Sequence, residues 1–414
     1  MTRREREPAQ ALYVGAHLFD AGSVARAGAA ALAQLDRWAP DDASFATAMG
    51  IADRAIAARV QSRVRERLAR APVDALRVDF EDGYGVHADE AEDAVADRVG
   101  AALVHAGRDA ALLGVRLKPL LAETRARSER TLDRLLHAVA RAADTRDLPP
   151  VLTVCIAKVG EPGHTAAAAR RLAALERALG MPSGWATIEP MLEQPQAILG
   201  TDGRVRVRDI VEAGEGRVRS VQFGVYDYTA SLGVPASHQH LRHPACDLAR
   251  GLVQMALAGT DVQLVDGSTA QLPLAPDAAD ATASRVAVHA GWTRHADDVR
   301  HSLAHGWYAG CDLHPTQLAS RWAAVLEFYL AAFDASAARL ARFLAKAEQA
   351  TVVGAQFDDA ATVQGLLAFM ARAVGSGAVG AADAERLTGL TSEDLADPVV
   401  ARVIARRSRA ARSG

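Results

Sequence analysis

The chain has 414 residues, of which 50% are hydrophobic, and its 47 lysines and arginines nearly balance its 50 aspartates and glutamates, for a formal net charge of -3. This composition is typical of a globular protein, and the length suits one large domain or two ordinary ones. The charge balance gives no electrostatic reason to expect nucleic acid or an anionic membrane surface as a partner.

Cysteine usage and the N-terminus indicate the compartment. Cys155, Cys246 and Cys311 lie far apart, without the spacing of a metal site or of a disulfide framework, so a reducing compartment fits. The N-terminal residues are charged and lack the apolar segment of a signal peptide. No stretch of the chain approaches the ~20 apolar residues that a membrane helix needs. We therefore expect a cytoplasmic protein with no membrane partner.

Eight short apolar runs alternate along the chain with segments of helical periodicity. Continuous apolar runs are typical of strands covered on both faces, and strict alternation with helices predicts a parallel sheet. Eight such units indicate an α/β fold of the closed (β/α)8 TIM-barrel type, and no G-x-G-x-x-G follows the first run to favour a dinucleotide-binding sheet. The predicted strands are 12–18, 75–82, 112–119, 151–159, 185–193, 218–228, 262–267 and 310–315.

The pattern changes after the eighth run. A long helical stretch covers 319–350, and a second helix over 361–374 follows a break. We therefore expect a TIM-barrel catalytic domain over 9–318. A C-terminal helical extension over 319–400 would cap the barrel or mediate homo-oligomerisation, and a basic tail over 401–414 would be frayed.

Nearly every predicted strand ends in a group that could do chemistry. In a barrel of this kind the C-terminal ends of the strands form the active-site face. Charges there are costly to bury unless they are paired or bind a cation, so charged groups on seven of the eight strands indicate a site. These residues are Asp79, Glu81, Asp82, Arg116, Lys118, Lys158, Glu161, Glu189, Glu193, Asp227, Asp266 and His314.

Carboxylates on the adjacent fifth and sixth strands, without clustered histidine or cysteine, indicate a hard cation that prefers oxygen. Mg²⁺ fits this set, with Mn²⁺ as a substitute. The ion would polarise a carbonyl and stabilise the enolate that forms when the neighbouring carbon–carbon bond is cleaved. Arg116 is suited to grip a substrate carboxylate or the enolate oxygen.

Each candidate has a structural alternative. Asp79 and its acidic neighbours could form a solvated loop or cap the next helix, and Lys158 could only neutralise a carboxylate at the barrel mouth. His314, which precedes a proline, is more simply a structural histidine than a general base. Glu189 and Glu193 share one face of the fifth strand, but Glu193 is nearer its end. Glu189 is therefore the expected structural residue.

Two further groups have simpler explanations than a metal site. His238, His240 and His243 have nearly the spacing of zinc ligands, but a lid or substrate-contact loop accounts for them more simply. Asp266, which precedes a glycine, is expected to belong to a plain turn.

Six segments at the strand ends form an ordered set of motifs. They are 78–83 (VDFEDG), 115–117 (VRL), 157–159 (AKV), 191–195 (MLEQP), 223–228 (FGVYDY) and 310–317 (GCDLHPTQ). The set resembles the motifs of the citrate lyase beta-subunit and HpcH/HpaI aldolase family, in order and at the expected spacing over roughly 12–318. The combination is far more specific than any one of its members.

The resemblance implies a Mg²⁺-dependent carbon–carbon lyase that acts through an enolate. Its substrate would be a 4-hydroxy-2-oxo acid or a coenzyme A thioester of the malyl or citryl type. Glu193 and Asp227 would bind the ion directly, and Glu81 and Asp82 would hold its waters. Arg116 would bind the substrate carboxylate or enolate. A homo-oligomer, a trimer or hexamer, would be the assembly.

The sequence also departs from this family. Asp358 stands where relatives that use coenzyme A have an aspartate that reaches a neighbouring active site, but the methionine and proline of that motif are absent. The first strand lacks the Pro-Gly and the arginine of many relatives, which puts the usual acyl-CoA in doubt. His17 lies there instead and could contact a different substrate.

Two other functions remain open. Chemistry of the phosphoenolpyruvate mutase or malate synthase type shares the barrel, the Mg²⁺ and the enolate. A non-catalytic oligomeric binding protein on the same barrel is favoured by the altered first strand. Against it stands the presence of Glu193, Asp227 and Arg116 together.

Overall fold

The protein is described by a computed structural model that covers residues 8–106, 112–143, 148–149, 151–276, 280–350 and 360–413. Eight parallel strands close into a barrel in which each strand pairs with the next and β8 pairs with β1, which confirms the predicted (β/α)8 architecture. The strands are β1 (Gln10–Gly15), β2 (Ala75–Asp79), β3 (Leu112–Leu117), β4 (Leu152–Ile156), β5 (Ala186–Leu192), β6 (Ser220–Phe223), β7 (Gln263–Asp266) and β8 (Ala309–Asp312).

Helices connect the strands and continue after the last one. Those up to β8 are α1 (Ser23–Trp38), α2 (Asp42–Met49), α3 (Arg54–Arg70), α4 (Asp89–Ala106), α5 (Arg125–Ala142), α6 (Pro162–Ala178), α7 (Pro195–Ile198), α8 (Val207–Glu212), α9 (Val225–Ser231), α10 (Pro244–Leu257) and α11 (Ala281–Ala304). Those after it are α12 (Leu318–Ala350), α13 (Ala360–Gly375), α14 (Ala381–Thr388), α15 (Ser392–Ala396) and α16 (Val400–Ser413). Short 3-10 turns cover Ala236–His238 and Pro315–Gln317.

The barrel strands are buried on both faces, as their continuous apolar sequences require. Every residue of β2, β4 and β5 is buried. The barrel interior also holds an ion pair, in which Arg77 Nε donates to Glu189 Oε1 at 3.0 Å. Ser220 Oγ donates to the other oxygen of Glu189 at 2.5 Å, so this carboxylate is satisfied inside the barrel and away from its mouth. Glu189 therefore has the structural role expected for it.

The predicted strands run past the observed ones at their C-terminal ends. The largest difference follows β6, where 218–228 was predicted as one strand but the strand ends at Phe223 and α9 begins at Val225. Asp227 consequently lies in the first turn of a helix, a position that favours a carboxylate because the backbone N–H groups there carry partial positive charge. The placement of Asp227 on strand six was wrong by this one turn.

The chain divides into two compact units. One comprises Pro8–Trp38 and Arg67–Arg321 and contains all eight strands. The other contains Ala39–Glu66 and the helices from Trp322 onward. Residues 39–66 thus group with the C-terminal helices, whereas the expected barrel domain, 9–318, included them.

The C-terminal segment, for which a frayed tail over 401–414 is predicted, contains α16 over Val400–Ser413. Val403 of α16 is buried, and Arg406 Nε donates to Asp394 Oδ1 at 2.7 Å. Arg406 also pairs with Asp397. One apolar anchor and an arginine fixed by two carboxylates hold the helix, although its composition is small and basic. None of the helices in the described ranges combines the length and apolar character that crossing a bilayer requires.

Candidate active site

A cavity of about 680 Å³ opens at the carboxyl ends of the barrel strands. Side chains from the ends of β1, β2, β3, β5, β6 and β8 line it, which is where a barrel of this kind places its chemistry. Of the residues singled out in the sequence, those on its wall are Asp79, Asp82, Arg116, Glu193, Asp227 and His314. The structure therefore brings these six candidate residues together around one cavity.

Arg116 is held at the mouth by Asp79. Its Nε and Nη2 donate to the two carboxylate oxygens of Asp79 at 2.7 and 2.5 Å, and both side chains are buried. The remaining Nη1 lies 3.2 Å from Glu81 Oε2. The bidentate edge of the guanidinium is thus already used, and an anionic group of a substrate would have to share Nη1 with Glu81 and Asp82.

Asp79 also organises the loop after β2. Its carboxylate accepts the backbone N–H of Glu81 at 2.9 Å and that of Gly83 at 2.8 Å. A Cβ on Gly83 would lie 2.5 Å from Asp79 Oδ2, so only glycine allows this close approach. Asp79 is therefore a supporting residue that fixes both Arg116 and the loop that carries Glu81 and Asp82.

Glu193 follows β5 directly and is 3% exposed. Its Oε1 accepts the backbone N–H of Lys158 at 2.6 Å, and Gly224 packs against its other oxygen. Burial, together with the negative charges of Asp227 and Glu81, raises the pKa of the Glu193 carboxyl to about 8, although Lys158 opposes this rise. A buried carboxylate among other carboxylates gains stability when a cation joins it.

Lys158 links three parts of the mouth. It is one of two non-glycine residues with positive φ among those described, at 52°, a conformation that strains an ordinary side chain. In this conformation its backbone N–H reaches Glu193, while its Nζ lies 2.7 Å from Glu81 Oε1 and 3.3 Å from Asp227 Oδ2. The supporting role predicted for Lys158 is thus supplied by its main chain as well as by its charge.

The donor set fits a divalent cation of the magnesium type. Every side-chain ligand that the cluster offers is a carboxylate oxygen, which Mg²⁺ and Mn²⁺ prefer. Five carboxylates face two cationic side chains here, so negative charges outnumber positive ones even when the Glu193 carboxyl is protonated. The carboxylates are Asp79, Glu81, Asp82, Glu193 and Asp227, and the cations are Arg116 and Lys158.

The two histidine candidates, His314 and His17, differ in their position relative to the cavity. His314 lines the cavity, and its Nδ1 accepts the backbone N–H of Thr316 at 3.2 Å, so the ring caps the short turn after β8. Burial lowers its pKa. His17 is exposed, lies outside the cavity lining given by the described residues, and has its ring 5.9 Å from that of Tyr84. Asp358 lies outside the described residues.

Asp266 and His243 both have structural roles. Asp266 does not sit in a plain turn: it ends β7 and forms a fully buried ion pair with Arg250 at 2.9 Å. His243 caps α10 by accepting the N–H of Ala245, which is a structural role.

Two residues that line the cavity, Tyr13 and Gln222, were not singled out from the sequence. Tyr13 of β1 lies under Arg116, with its ring centroid 5.1 Å from the guanidinium carbon, and its hydroxyl donates to Gln222 of β6. Tyr226 accepts the N–H of Ala270 at 2.7 Å and so ties α9 to the loop after β7. The signal for Tyr13 and Gln222 was polar side chains inside otherwise apolar strands.

Comparison with known proteins adds a family and a fold. The model of a family described as "Domain of unknown function (DUF6986)" matches residues 2–403. No curated protein matches the chain.

Solved structures that are similar in fold include a citrate lyase and a malate synthase. A citrate lyase from Burkholderia xenovorans LB400 has 19% sequence identity and a TM-score of 0.55, with 79% of this chain and 91% of that chain covered. A Haloferax volcanii malate synthase in a magnesium/glyoxylate complex has 15% identity and a TM-score of 0.50, with 78% and 76% covered. At these identities the likeness shows the shared barrel.

Proposed function

The chain belongs to the family described as a domain of unknown function, DUF6986, and from its site we propose that it is a Mg²⁺-dependent lyase that cleaves or forms a carbon–carbon bond next to a carbonyl. The observation that carries the proposal is the oxygen-only cluster, in which five carboxylates face two cations, beside an arginine whose Nη1 is not held by Asp79. A cluster of this kind is costly in a barrel mouth without a cation.

Glu193 and Asp227 would hold the ion, with Glu81 and Asp82 oriented towards its waters. When bound, Mg²⁺ supplies Lewis-acid polarisation of the substrate carbonyl. Lys158 keeps Glu193 in place through its N–H and neutralises part of the charge on Glu81 and Asp227.

In the cleavage direction the bond between C3 and C4 of a 4-hydroxy-2-oxo acid breaks, and its electron pair moves into the C2 carbonyl as an enolate. The 4-hydroxyl loses its proton and becomes a C4 carbonyl, so the fragment that contains C4 leaves as an aldehyde or oxo acid, and C3 of the remaining enolate then takes a proton. Arg116 Nη1 is the group that would bind the substrate carboxylate or the enolate oxygen, since Asp79 occupies the rest of its guanidinium.

The rim of the cavity favours a free oxo acid over a coenzyme A thioester. Leu18 and Leu313 line it while 63% and 40% exposed, and such apolar rims mark ligand contacts. Arg26 is the cation nearest solvent among the described lining residues, and Asp20 pairs with it at 2.7 Å. The described part of the rim therefore presents an apolar surface to the side chain of an oxo acid. It presents little uncompensated positive charge to the phosphates of coenzyme A.

The test measures the cleavage of 4-hydroxy-2-oxo acids, with and without Mg²⁺, through the pyruvate that is released. Glu193→Gln and Asp227→Asn keep the side-chain shape and should each lower kcat/KM by at least about 100-fold, because a metal ligand is lost. Glu161→Gln is the matched control, since Glu161 follows β4 at the start of α6, and its side chain is 68% exposed and pairs with His164.

Malyl- and citryl-type thioesters, and glyoxylate with acetyl-CoA, form the other arms of the assay. Condensation of the last pair would instead support chemistry of the malate synthase type. Turnover that survives chelation of Mg²⁺ and both ligand variants would contradict the proposal, and binding without turnover would favour the non-catalytic alternative.

The proposal includes a homo-oligomer, a trimer or hexamer, in which Asp358 acts in a neighbouring subunit. Light scattering measures the molar mass of the assembly and so the number of subunits. If Asp358 acts there, Asp358→Asn should lower kcat while Mg²⁺ affinity is retained. Unchanged kcat would remove Asp358 from the catalytic set.

A further inference from the structure

Away from the barrel mouth, two helices bring together a second group of metal-ligating side chains. Asp247 lies in the first turn of α10, and His301 and His305 lie at the end of α11. One ligand atom from each of these residues lies within 4.8 Å of the others. We propose that Asp247, His301 and His305 form a binding site for a transition metal ion of the zinc type that ties α10 to α11.

The local sequence explains the geometry. His301 and His305 are four residues apart, so they lie one above the other on the same face of the helix, and their ring centroids are 4.2 Å apart. Asp247 approaches from the neighbouring helix, with its Oδ1 2.7 Å from His301 Nε2. The two imidazoles and the carboxylate thus converge without any rearrangement of the backbone.

Hydrogen bonds from neighbouring groups orient the ligands. His305 Nδ1 donates to the carbonyl of His301 at 2.8 Å, which leaves its Nε2 with a free electron pair for a metal. Asp247 Oδ1 accepts from Arg250 Nη1 at 2.8 Å. Arg250 is itself buried and fixed to both oxygens of Asp266. Ligands oriented in this way by a second layer of hydrogen bonds are typical of metal sites.

The charge balance also favours a cation. The guanidinium of Arg250 faces two carboxylates, those of Asp247 and Asp266, so one negative charge is left in the group. Binding through His301 Nε2 would replace the proton that this nitrogen shares with Asp247 by the metal. A divalent ion then meets one carboxylate and two neutral imidazoles.

The ligand types separate this site from the barrel mouth. Two histidines and one aspartate suit Zn²⁺, Co²⁺ or Ni²⁺, and three protein ligands leave one position of a tetrahedral ion open to water. The mouth offers only carboxylates, which suit Mg²⁺. His305 is exposed, so an ion can reach the site from solvent.

The experiment is equilibrium dialysis of the full-length protein against Zn²⁺ in millimolar Mg²⁺, which keeps the carboxylate site filled. We expect one Zn²⁺ per chain, with an affinity at least about tenfold lower in His305→Ala and in His301→Ala. The matched control is His137→Ala. His137 is also exposed, and its Nδ1 likewise donates to the carbonyl four residues earlier, that of Asp133, at 2.7 Å.

Substitution of Co²⁺ gives a readout that does not depend on affinity. Four-coordinate Co²⁺ with imidazole ligands absorbs visible light strongly, and this band should be lost in His305→Ala and kept in His137→Ala. Absence of Zn²⁺ uptake by the unaltered protein, or equal uptake by all three variants, would overturn the proposal. Both readouts are independent of turnover at the barrel mouth.

Discussion

Replacing Gly224 by alanine tests whether the position of the Glu193 carboxylate matters. Gly224 has φ of -107° and ψ of 103°, which any residue adopts, so the substitution adds no backbone strain. The new Cβ would lie 2.5 Å from both Cβ and Oε2 of Glu193, whereas ordinary contact begins at 3.4 Å. The carboxylate and the stem of its side chain must therefore move by close to 1 Å.

Such overpacking of a buried site costs about 1–3 kcal/mol of the free energy of unfolding. Because a displaced ligand binds metal less well, Mg²⁺ affinity should fall by about 10–100-fold, which corresponds to about 1.4–3 kcal/mol. Urea unfolding measures the first quantity and isothermal titration calorimetry with Mg²⁺ measures the second.

Gly160→Ala is the matched control. Gly160 lies near the end of β4, a Cβ there would meet open space, and its φ is not positive. Equal Mg²⁺ affinity in Gly224→Ala and Gly160→Ala, both as tight as in the unaltered protein, would contradict the predicted displacement of the Glu193 carboxylate. Equal loss of affinity in both variants would refute it as well, because a contact with Glu193 would then not be the cause.

Three further predictions concern the barrel interior, pH and the rim. Glu189→Ala leaves Arg77 buried without its partner and should lower the free energy of unfolding in urea by about 3–5 kcal/mol; a loss below 1 kcal/mol would contradict this pairing. Although burial alone would raise it, Arg321 helps to lower the pKa of Asp312 to about 2. A carboxyl with a lowered pKa stabilises the fold above its ordinary pKa near 4, so about 2 kcal/mol should be lost as the pH falls from 4 to 2. Asp312→Asn should remove that part of the pH dependence, and an identical slope in both proteins would exclude it. In a series of alkyl-substituted oxo acids, kcat/KM should rise about fourfold per added methylene, and Leu18→Asp should flatten the series; no dependence on chain length would exclude the apolar rim.

The sequence alone determined the number and order of the strands and the face on which the candidate site lies. Strands that are covered on both faces are mostly apolar, so β2, β4 and β5 can be recognised in the sequence although β2 and β5 contain the paired Arg77 and Glu189. Parallel strands in a barrel end on one face, so charged groups at those ends had to meet. Both inferences need only local patterns.

Which of these groups contact one another depends on how the barrel closes. Lys158 takes a left-handed conformation that joins Glu193, Glu81 and Asp227, and no local pattern predicts such a conformation for a lysine. The bidentate pairing of Arg116 with Asp79 likewise links two strands. The partners lie 35 to 77 residues apart in sequence, and the closure and register of the barrel bring them together. Sequence separation carries no information about such contacts, because burial and charge pairing select partners in space.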